Sequence, residues 1–307
     1  MLKFIIKLLV SLTILFILVQ ATDTENLKRS LYSVEYDAIF YALFLIVLIR
    51  FIMALRWKVL LHFYQISASL KKLFGIIFVS NALGHLLPSG LGTDIIRVYE
   101  LSKNKGSSEK ILASVFLDRV FGLISMLLVA LLAAWYAFFS NQLKLAIPLL
   151  ITISSLILPV IFIFTRYFLS KNVSLKNKNR FAEKTIKFYN RFLFALQQTS
   201  IPLYGYYSLT ALSVLVQLIR CLIFMTIFMG LGSEIAIIHY FVFVPIVFIL
   251  MLIPVSIGGL GIRESALFAF FGPLGLSIST CTVAGLIFHA LQLVMIIPGL
   301  IIFNLRK

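Results

Sequence analysis

The chain has 307 residues, of which 61% are hydrophobic and only 12% are charged, and its mean hydropathy is +1.07. A soluble domain of this size would be about half apolar and about a quarter charged, so the composition excludes an ordinary soluble protein. The formal net charge of +16 could suit nucleic acid, but the lysines and arginines collect beside apolar runs, as in membrane proteins. We therefore expect an all-α polytopic membrane protein that binds membrane lipids and no nucleic acid.

Apolar runs near 20 residues long recur along the chain, and each is long enough to cross a bilayer as a helix. The sequence predicts six full spans, near residues 4–20, 38–56, 112–139, 145–168, 203–229 and 280–303. The lysines and arginines beside these runs predict that both termini are cytoplasmic. We expect a plasma (inner) membrane of bacterial or archaeal type. Residues 1–21 also resemble a signal peptide, so cleavage after Ala21 stays open.

Two further apolar segments are interrupted by proline and glycine. Residues 74–101 contain LLPSGLGTDIIR, and residues 240–276 contain IPVSIGGLGIRE. The arms on either side of each break are too short to cross about 30 Å of hydrocarbon, so each segment is predicted to be a re-entrant hairpin. The order of the spans predicts that the first hairpin begins at the cytoplasmic side and the second at the outer side. Such a pair is typical of an inverted-topology repeat.

A basic segment, about residues 170–200, is predicted to form a cytoplasmic loop. Phe181, Thr185, Phe188 and Phe192 recur in it at helical spacing. Two interpretations stay open: an amphipathic helix lying on the anionic inner leaflet, or an ordinary positive-inside loop. We expect residues 1–307 as a whole to form a single transmembrane domain.

Three of the arginines inside the predicted membrane segments are candidates for ligand binding, because a charge there needs a partner or a wet cavity. Arg97 and Arg263 each follow a break, and Arg220 lies centrally in the fifth span. The beginning of a helix together with an arginine suits an anion such as phosphate. We predict that these three side chains line a midplane cavity and bind a lipid phosphate.

Other charged side chains in these segments are predicted to support the hairpins. Asp94 and Arg97 are three residues apart and could share a helix face. Asp118 and Glu264 are expected to form internal ion pairs, with Arg119 beside Asp118. Arg50 and Arg56 come toward the predicted end of the second span, so both are expected to snorkel to the membrane interface.

The sequence contains no convincing catalytic, metal or cofactor pattern. The four histidines form no H-E-x-x-H motif, and Cys221 and Cys281 give no disulfide framework or metal spacing. Neither break carries the G-K-[ST] of a nucleotide-binding loop. We therefore expect no metal, no cofactor and no enzyme activity.

The sequence resembles the transmembrane-region family of the lysylphosphatidylglycerol synthases, which are flippase-like integral membrane proteins. The resemblance rests on LPSGLGTDIIRVYEL, ASVFLDRVFGL and PVSIGGLGIRESALF, which occur in this order. Two positions depart from the family pattern: Thr93, where glycine is common, and Asp118, where glutamate is common. The matching positions are Pro88, Gly90, Gly92, Asp94, Arg97, Asp118, Arg119, Pro254, Gly258, Gly259, Gly261, Arg263 and Glu264.

The resemblance implies a domain that moves or binds a lipid, such as an aminoacylated phospholipid or a polyprenyl-linked glycolipid. In the bifunctional relatives lysyl transfer belongs to a separate soluble C-terminal domain, and Lys307 directly follows the last predicted span, so we expect no synthase activity. We predict a lipid translocase or transporter. One alternative is a membrane-embedded lipid-modifying enzyme that uses Asp94, Asp118 or Glu264. Another is a non-transporting partner subunit of a lipid glycosyltransferase or synthase.

Overall fold

The computed structural model describes residues 34–84, 92–103, 108–140, 190–197, 201–252 and 258–305, with Thr13, Gln20 and Ser256. Within these ranges the protein is helical and contains no strand. Its helices are α1 (Tyr36–Phe63), α2 (Leu70–Gly84), α3 (Gly92–Ser102), α4 (Ser108–Phe139), α5 (Leu203–Gly230), α6 (Ile237–Leu250), α7 (Ile262–Phe271), α8 (Ile278–Val294) and α9 (Ile296–Asn304). Apart from Thr13 and Gln20, the predicted spans near 4–20 and 145–168 lie outside the described residues, as do Pro88, Gly90 and Pro254.

Long apolar helices are present at the other four predicted spans. Helices α1, α4 and α5, and α8 together with α9, are each long and apolar enough to cross a membrane. Helix α1 continues to Phe63 instead of ending near residue 56, because apolar residues follow Arg56. The last span is interrupted at Met295, where Pro298 has no N–H to donate to the carbonyl of Val294.

Large apolar side chains on these helices remain on the surface. Phe40, Leu132 and Ile301 are all exposed, whereas the helices of a soluble bundle turn such residues inward and present polar groups outward. An apolar outer surface is suited to lipid.

Short paired helices flank each of the two breaks. Helices α2 and α3 pack against each other, and so do α6 and α7. The first pair is very close, because a Cβ added to Gly84 would lie 2.5 Å from Cγ2 of Thr93. Gly92, predicted to belong to the break, is the first residue of α3. After α7 comes a 3-10 turn, Gly272–Leu274.

Helices α1 and α5 form an antiparallel pair with matching ends. Gly230, at the end of α5, lies against Ala38 near the beginning of α1, and Gly205, near the beginning of α5, lies against Phe63 at the end of α1. The N–H of Glu35 also donates to the carbonyl of Gly230 at 3.1 Å. Both helices are 28 residues long, so the beginning of each helix contacts the end of the other.

Most of the other helix contacts form two corresponding sets, one in each half of the chain. Helix α1 packs on α2 and α4, and α3 packs on α4; in the same way α5 packs on α6 and α8, and α7 packs on α8. Between the sets, α4 packs on α6 while α9 packs on α2, and α4 also contacts α5. Most contacts within α1–α4 therefore have a counterpart within α5–α9.

The end of the basic segment lies against the helix bundle. Residues 190–197 are helical. Ala195 and Leu196 belong to the core around α1 and α2, and Leu193 is also buried. The ring of Phe192 meets that of Phe116 on α4, with 5.9 Å between the ring centres. This part of the segment packs on protein; the rest of the predicted loop, with Phe181, Thr185 and Phe188, lies outside the described residues.

Candidate functional site

Asp118 is the centre of a buried charge network that joins four helices. Its side chain, on α4, is 2% exposed. The Nε of Arg56 on α1 donates to Oδ1 at 2.7 Å, and the Nη1 of Arg97 on α3 donates to Oδ2 at 3.0 Å. Arg56 also donates through Nη1 to the hydroxyl of Ser213 on α5, at 2.9 Å. A single carboxylate thus serves two buried guanidinium groups.

Trp57 contacts one face of the Arg97 guanidinium, in addition to the hydrogen bond from Nη1 to Asp118. The guanidinium carbon lies 4.3 Å from the ring centre of Trp57, and the indole N–H of Trp57 donates to the hydroxyl of Ser114 at 3.1 Å. The Nε and Nη2 of Arg97 are buried and have no hydrogen-bond partner among the described residues. Two nitrogens of this guanidinium are therefore buried donors whose hydrogen bonds are not satisfied in this part of the chain.

Asp94 pairs mainly with Arg119 instead of Arg97. The Nε of Arg119 contacts Oδ2 of Asp94, while Oδ1 of Asp94 lies 4.0 Å from Nη1 of Arg97. The predicted shared face of Asp94 and Arg97 is present, but Asp118 from another helix is the closer partner of Arg97. Asp118 and Arg119, although adjacent, therefore serve two different ion pairs.

Arg263 and Glu264 form a second buried centre at the beginning of α7. The Nε and Nη2 of Arg263 donate to Oε1 of Glu264 at 3.0 and 2.5 Å. Oε2 of Glu264 accepts the backbone N–H of Gly261 at 2.6 Å. Gly261 has φ +83°, and Gly258 and Gly259 also have positive φ. Glycine adopts this backbone without a steric penalty, which explains why the second break is rich in it.

Helix α8 makes room for this second centre. A Cβ added to Gly285 would lie 2.5 Å from Oε1 of Glu264. One turn later the ring of Phe288 lies under Arg263, with 5.4 Å between the guanidinium carbon and the ring centre. The imidazole of His289 is close to the backbone of Gly258. The second break is thus packed directly on α8.

Arg220 has a neutral hydrogen-bond partner. Its Nη1 donates to Oε1 of Gln217 at 2.9 Å, and no carboxylate of the described residues forms an ion pair with it. The amide nitrogen of Gln217 donates in turn to the carbonyl of Gly122 and the hydroxyl of Ser125 on α4, both at 3.3 Å. Arg220 is also close enough to Arg56 for their charges to repel.

A pair of aromatic rings connects Arg220 with Arg263. The guanidinium of Arg220 stacks on Phe248, 4.3 Å from the ring centre. Phe248 meets Phe288, the ring under Arg263, edge to face with 5.8 Å between ring centres. The three predicted arginines thus occupy separate positions: Arg97 with Asp118, Arg263 with Glu264, and Arg220 beside the rings.

Sequence comparison identifies the family. The pattern of the family described as "Lysylphosphatidylglycerol synthase TM region" matches residues 4–299. The chain belongs to this family. A stretch of 164 residues is 26% identical to the UPF0104 membrane protein PH1989 of Pyrococcus horikoshii, and it covers 52% of this chain and 48% of that protein. The match therefore spans about half the length of this relative. The family and the apolar helices together make this an integral membrane protein.

The expectation that Arg50 and Arg56 snorkel is wrong, because both side chains are buried inside the helix bundle instead of extending along its surface. Both are only 4% exposed. Arg50 donates through Nη2 to the amide oxygen of Gln292 on α8 at 2.9 Å and lies over the ring of Phe78. The prediction ended the span at Arg56, whereas α1 continues to Phe63. The apolar residues after Arg56 were the signal that could have placed both arginines inside the bundle.

The remaining predictions concern metal and thiol chemistry. Among the described residues, no group of three or more histidine, cysteine, aspartate or glutamate side chains could hold a metal ion. Cys221 and Cys281 are buried free thiols.

Proposed function

We propose that this protein binds an anionic membrane lipid and moves it between the two leaflets. The observation that supports this is an excess of positive charge inside the described helices. Four buried arginines, Arg50, Arg56, Arg97 and Arg263, face two buried carboxylates, Asp118 and Glu264. The partly buried Arg220 adds a further positive charge, whereas the partly buried Asp94 is paired with Arg119. An uncompensated charge in a membrane interior is costly, so an anion from the membrane is the expected counterion.

The polar groups follow one another through the bundle. From Arg97 the contacts run through Asp118 to Arg56 and then to Ser213 on α5. Arg220 lies on the same helix, and its ring contacts continue toward Arg263. A phosphate that moves along this series meets the guanidinium groups of Arg97, Arg56 and Arg220 in turn, while its acyl chains remain in the bilayer. Arg263, at the end of the ring contacts, is already paired with Glu264.

We propose that an inverted repeat places the arginines that follow the two breaks in matching positions of two halves of the molecule. In this proposal α1–α4 and α5–α9 are two halves of opposite orientation, joined in one domain with six spans and cytoplasmic termini. The reciprocal ends of α1 and α5 and the duplicated helix contacts support it. The hairpins α2–α3 and α6–α7 would then begin at opposite membrane surfaces. Broken segments in matching positions of two halves commonly form the substrate site of a transporter near the midplane.

The proposed substrate is a phospholipid or a polyprenyl-linked lipid with an anionic headgroup. The family name refers to lysylphosphatidylglycerol, a phospholipid, and guanidinium groups match phosphate oxygens well. We propose that the lipid is relocated without chemical change, in a plasma (inner) membrane, and that a lipid-modifying enzyme could act as partner. Anionic inner-leaflet lipid is also expected to contact the basic segment.

Substitution of Arg220 by glutamine is expected to slow lipid movement about ten- to a hundredfold, because it removes a charge-assisted contact of about 1.5–3 kcal/mol. The measurement uses vesicles that contain the purified protein and fluorescent phosphatidylglycerol or phosphatidylcholine, with dye quenching from outside. Wild-type protein should move phosphatidylglycerol faster than protein-free vesicles do.

The matched control is Arg191→Gln, an arginine that is 72% exposed and should leave the rate unchanged. Lipid movement no faster than in protein-free vesicles would contradict the proposal. Mass spectra of the same lipids separate transport from enzymatic modification, because an enzyme would change the mass of the lipid.

A further inference from the structure

We propose that the Nε–Nη2 edge of Arg97 binds one singly charged oxyanion, and that the corresponding edge of Arg263 is taken by the protein's own Glu264. The inference rests on the proposed function only in naming a phosphodiester lipid headgroup as the source of that oxyanion. The two arginines, which sequence reasoning treated alike, would then have different roles: Arg97 binds the substrate and Arg263 stabilises the fold.

The donors of Arg97 are arranged for two oxygen atoms. Asp118 accepts from Nη1, and Trp57 covers one face of the guanidinium. The two groups that remain, Nε–H and Nη2–H, are parallel donors on one edge, a geometry that matches a carboxylate or a phosphate. The side chain is only 5% exposed, and neither donor has a partner among the described residues. Buried donors of this kind are usually satisfied, so a ligand is expected here.

Arg263 shows what this edge binds when a partner is present. Its own Nε and Nη2 both donate to Oε1 of Glu264. The two arginines match in sequence, since each follows a glycine of its break by the same number of residues, Gly92 to Arg97 and Gly258 to Arg263. In the structure Arg97 is the sixth residue of α3 and Arg263 the second of α7. The carboxylate of Glu264 is therefore an internal example of the oxyanion that we propose for Arg97.

The helices that follow the two hairpins explain the difference. Helix α4 brings its own carboxylate, Asp118, to Nη1 of Arg97. Helix α8 brings Gly285 to the second centre, and the missing side chain leaves the space that Glu264 fills. The Nε–Nη2 edge of Arg263 thus binds an internal carboxylate, whereas in our proposal the same edge of Arg97 binds a ligand.

The charges of the two centres select the class of anion. Around Asp118, two guanidinium groups share one carboxylate, and the neighbouring Asp94 is paired with Arg119. This centre therefore carries one positive charge more than its carboxylate neutralises. Arg263 and Glu264 balance each other. A phosphodiester, with a single negative charge, neutralises the first centre, whereas a doubly charged phosphomonoester would exceed it.

The test compares Arg97→Lys with the matched substitution Arg263→Lys. Lysine keeps the charge but replaces the planar pair of donors by a compact ammonium group. Binding of dihexanoyl phosphatidylglycerol to the full chain in detergent is measured by titration calorimetry, with dihexanoyl phosphatidylcholine and inorganic phosphate as separate probes. We expect Arg97→Lys to weaken phosphatidylglycerol binding about tenfold or more and Arg263→Lys to change it less than twofold, although the latter should lower the melting temperature.

Equal losses in the two variants, or no loss in Arg97→Lys, would overturn the inference. Binding of inorganic phosphate but not of phosphatidylglycerol would overturn the assignment to a lipid headgroup. Should Arg97→Lys fail to fold, Arg97→Gln replaces it, and the wild-type protein must be stabilised against heat by phosphatidylglycerol more than by phosphatidylcholine; equal stabilisation counts against the site.

These results are distinguishable from a failure of the proposed function. Lipid binding that depends on Arg97, without movement between leaflets, would support this site and reject transport. Lipid movement that depends on Arg220, together with lipid binding that is unaffected by Arg97→Lys, would support transport and reject this site.

Discussion

Substitution of Asp118 by asparagine is expected to lower the free energy of unfolding by about 3–5 kcal/mol, the cost of removing one partner from a buried ion pair. Asparagine has nearly the same shape, so the loss comes from charge and not from a cavity. Arg56 and Arg97, which now share Oδ1 and Oδ2 of this carboxylate, would remain as buried cations with a neutral partner. Chemical unfolding of the purified protein in detergent, followed by circular dichroism, measures the change.

Glu109→Gln is the matched control on the same helix. Glu109 forms an ion pair of 3.5 Å with the exposed Arg191, and a surface pair of this kind contributes about 0–1 kcal/mol. Both substitutions convert a carboxylate of α4 into an amide. Equal destabilisation by the two would show that Asp118 does not hold the helices together.

Substitution of Gly285 by alanine is expected to destabilise the protein by about 2–3 kcal/mol, as overpacking in a dense core does. The new Cβ would lie 2.5 Å from Oε1 and 2.7 Å from Cγ of Glu264. Glu264 cannot easily turn away, because its two oxygens hold Arg263 and the N–H of Gly261. Either α7 and α8 must separate or this buried pair must break. The same unfolding measurement detects the loss.

Gly122→Ala controls for the general effect of a methyl group in a spanning helix. Its Cβ would lie 3.8 Å from Nη1 of Arg56, which is an ordinary contact. Within a helix, alanine is also more favourable than glycine by about 1 kcal/mol. This variant should be as stable as the wild type or slightly more stable. If Gly285→Ala behaved in the same way, the packing between Glu264 and α8 would be looser than the structure indicates.

The spans and the breaks could be predicted from sequence because their signals are local. A run of apolar residues gives its own length, and proline and glycine mark the place where a helix stops, so four spans and the short helices beside the breaks were found. The arginines after the breaks were found in the same way. What local patterns cannot give is which charge meets which across helices. Arg56 and Asp118 are 62 residues apart in the chain, and only packing of α1 on α4 joins them.

Arg50, Arg56 and Arg97 show where local reasoning stops. The spacing of Asp94 and Arg97 predicts a shared helix face, which is present with 4.0 Å between Oδ1 and Nη1, but it cannot show that Asp118 of the neighbouring helix lies closer, at 3.0 Å. A span that ends near Arg56 places Arg50 and Arg56 at an interface, and this prediction is wrong. Helix α1 continues past them, and the partners that bury them, such as Gln292 and Ser213, belong to distant helices.

Native mass spectrometry of lipids retained by the protein tests most directly whether its interior holds an anionic headgroup. The protein is released from membranes with equal amounts of phosphatidylglycerol and phosphatidylcholine. It is compared with the double variant Arg50→Gln and Arg220→Gln, which removes two arginines with neutral amide partners. We expect the wild type to retain phosphatidylglycerol preferentially and the variant, in which Arg97 remains, to lose part of this preference. Equal retention of both lipids by the wild type, or an unchanged preference in the variant, would contradict the proposal.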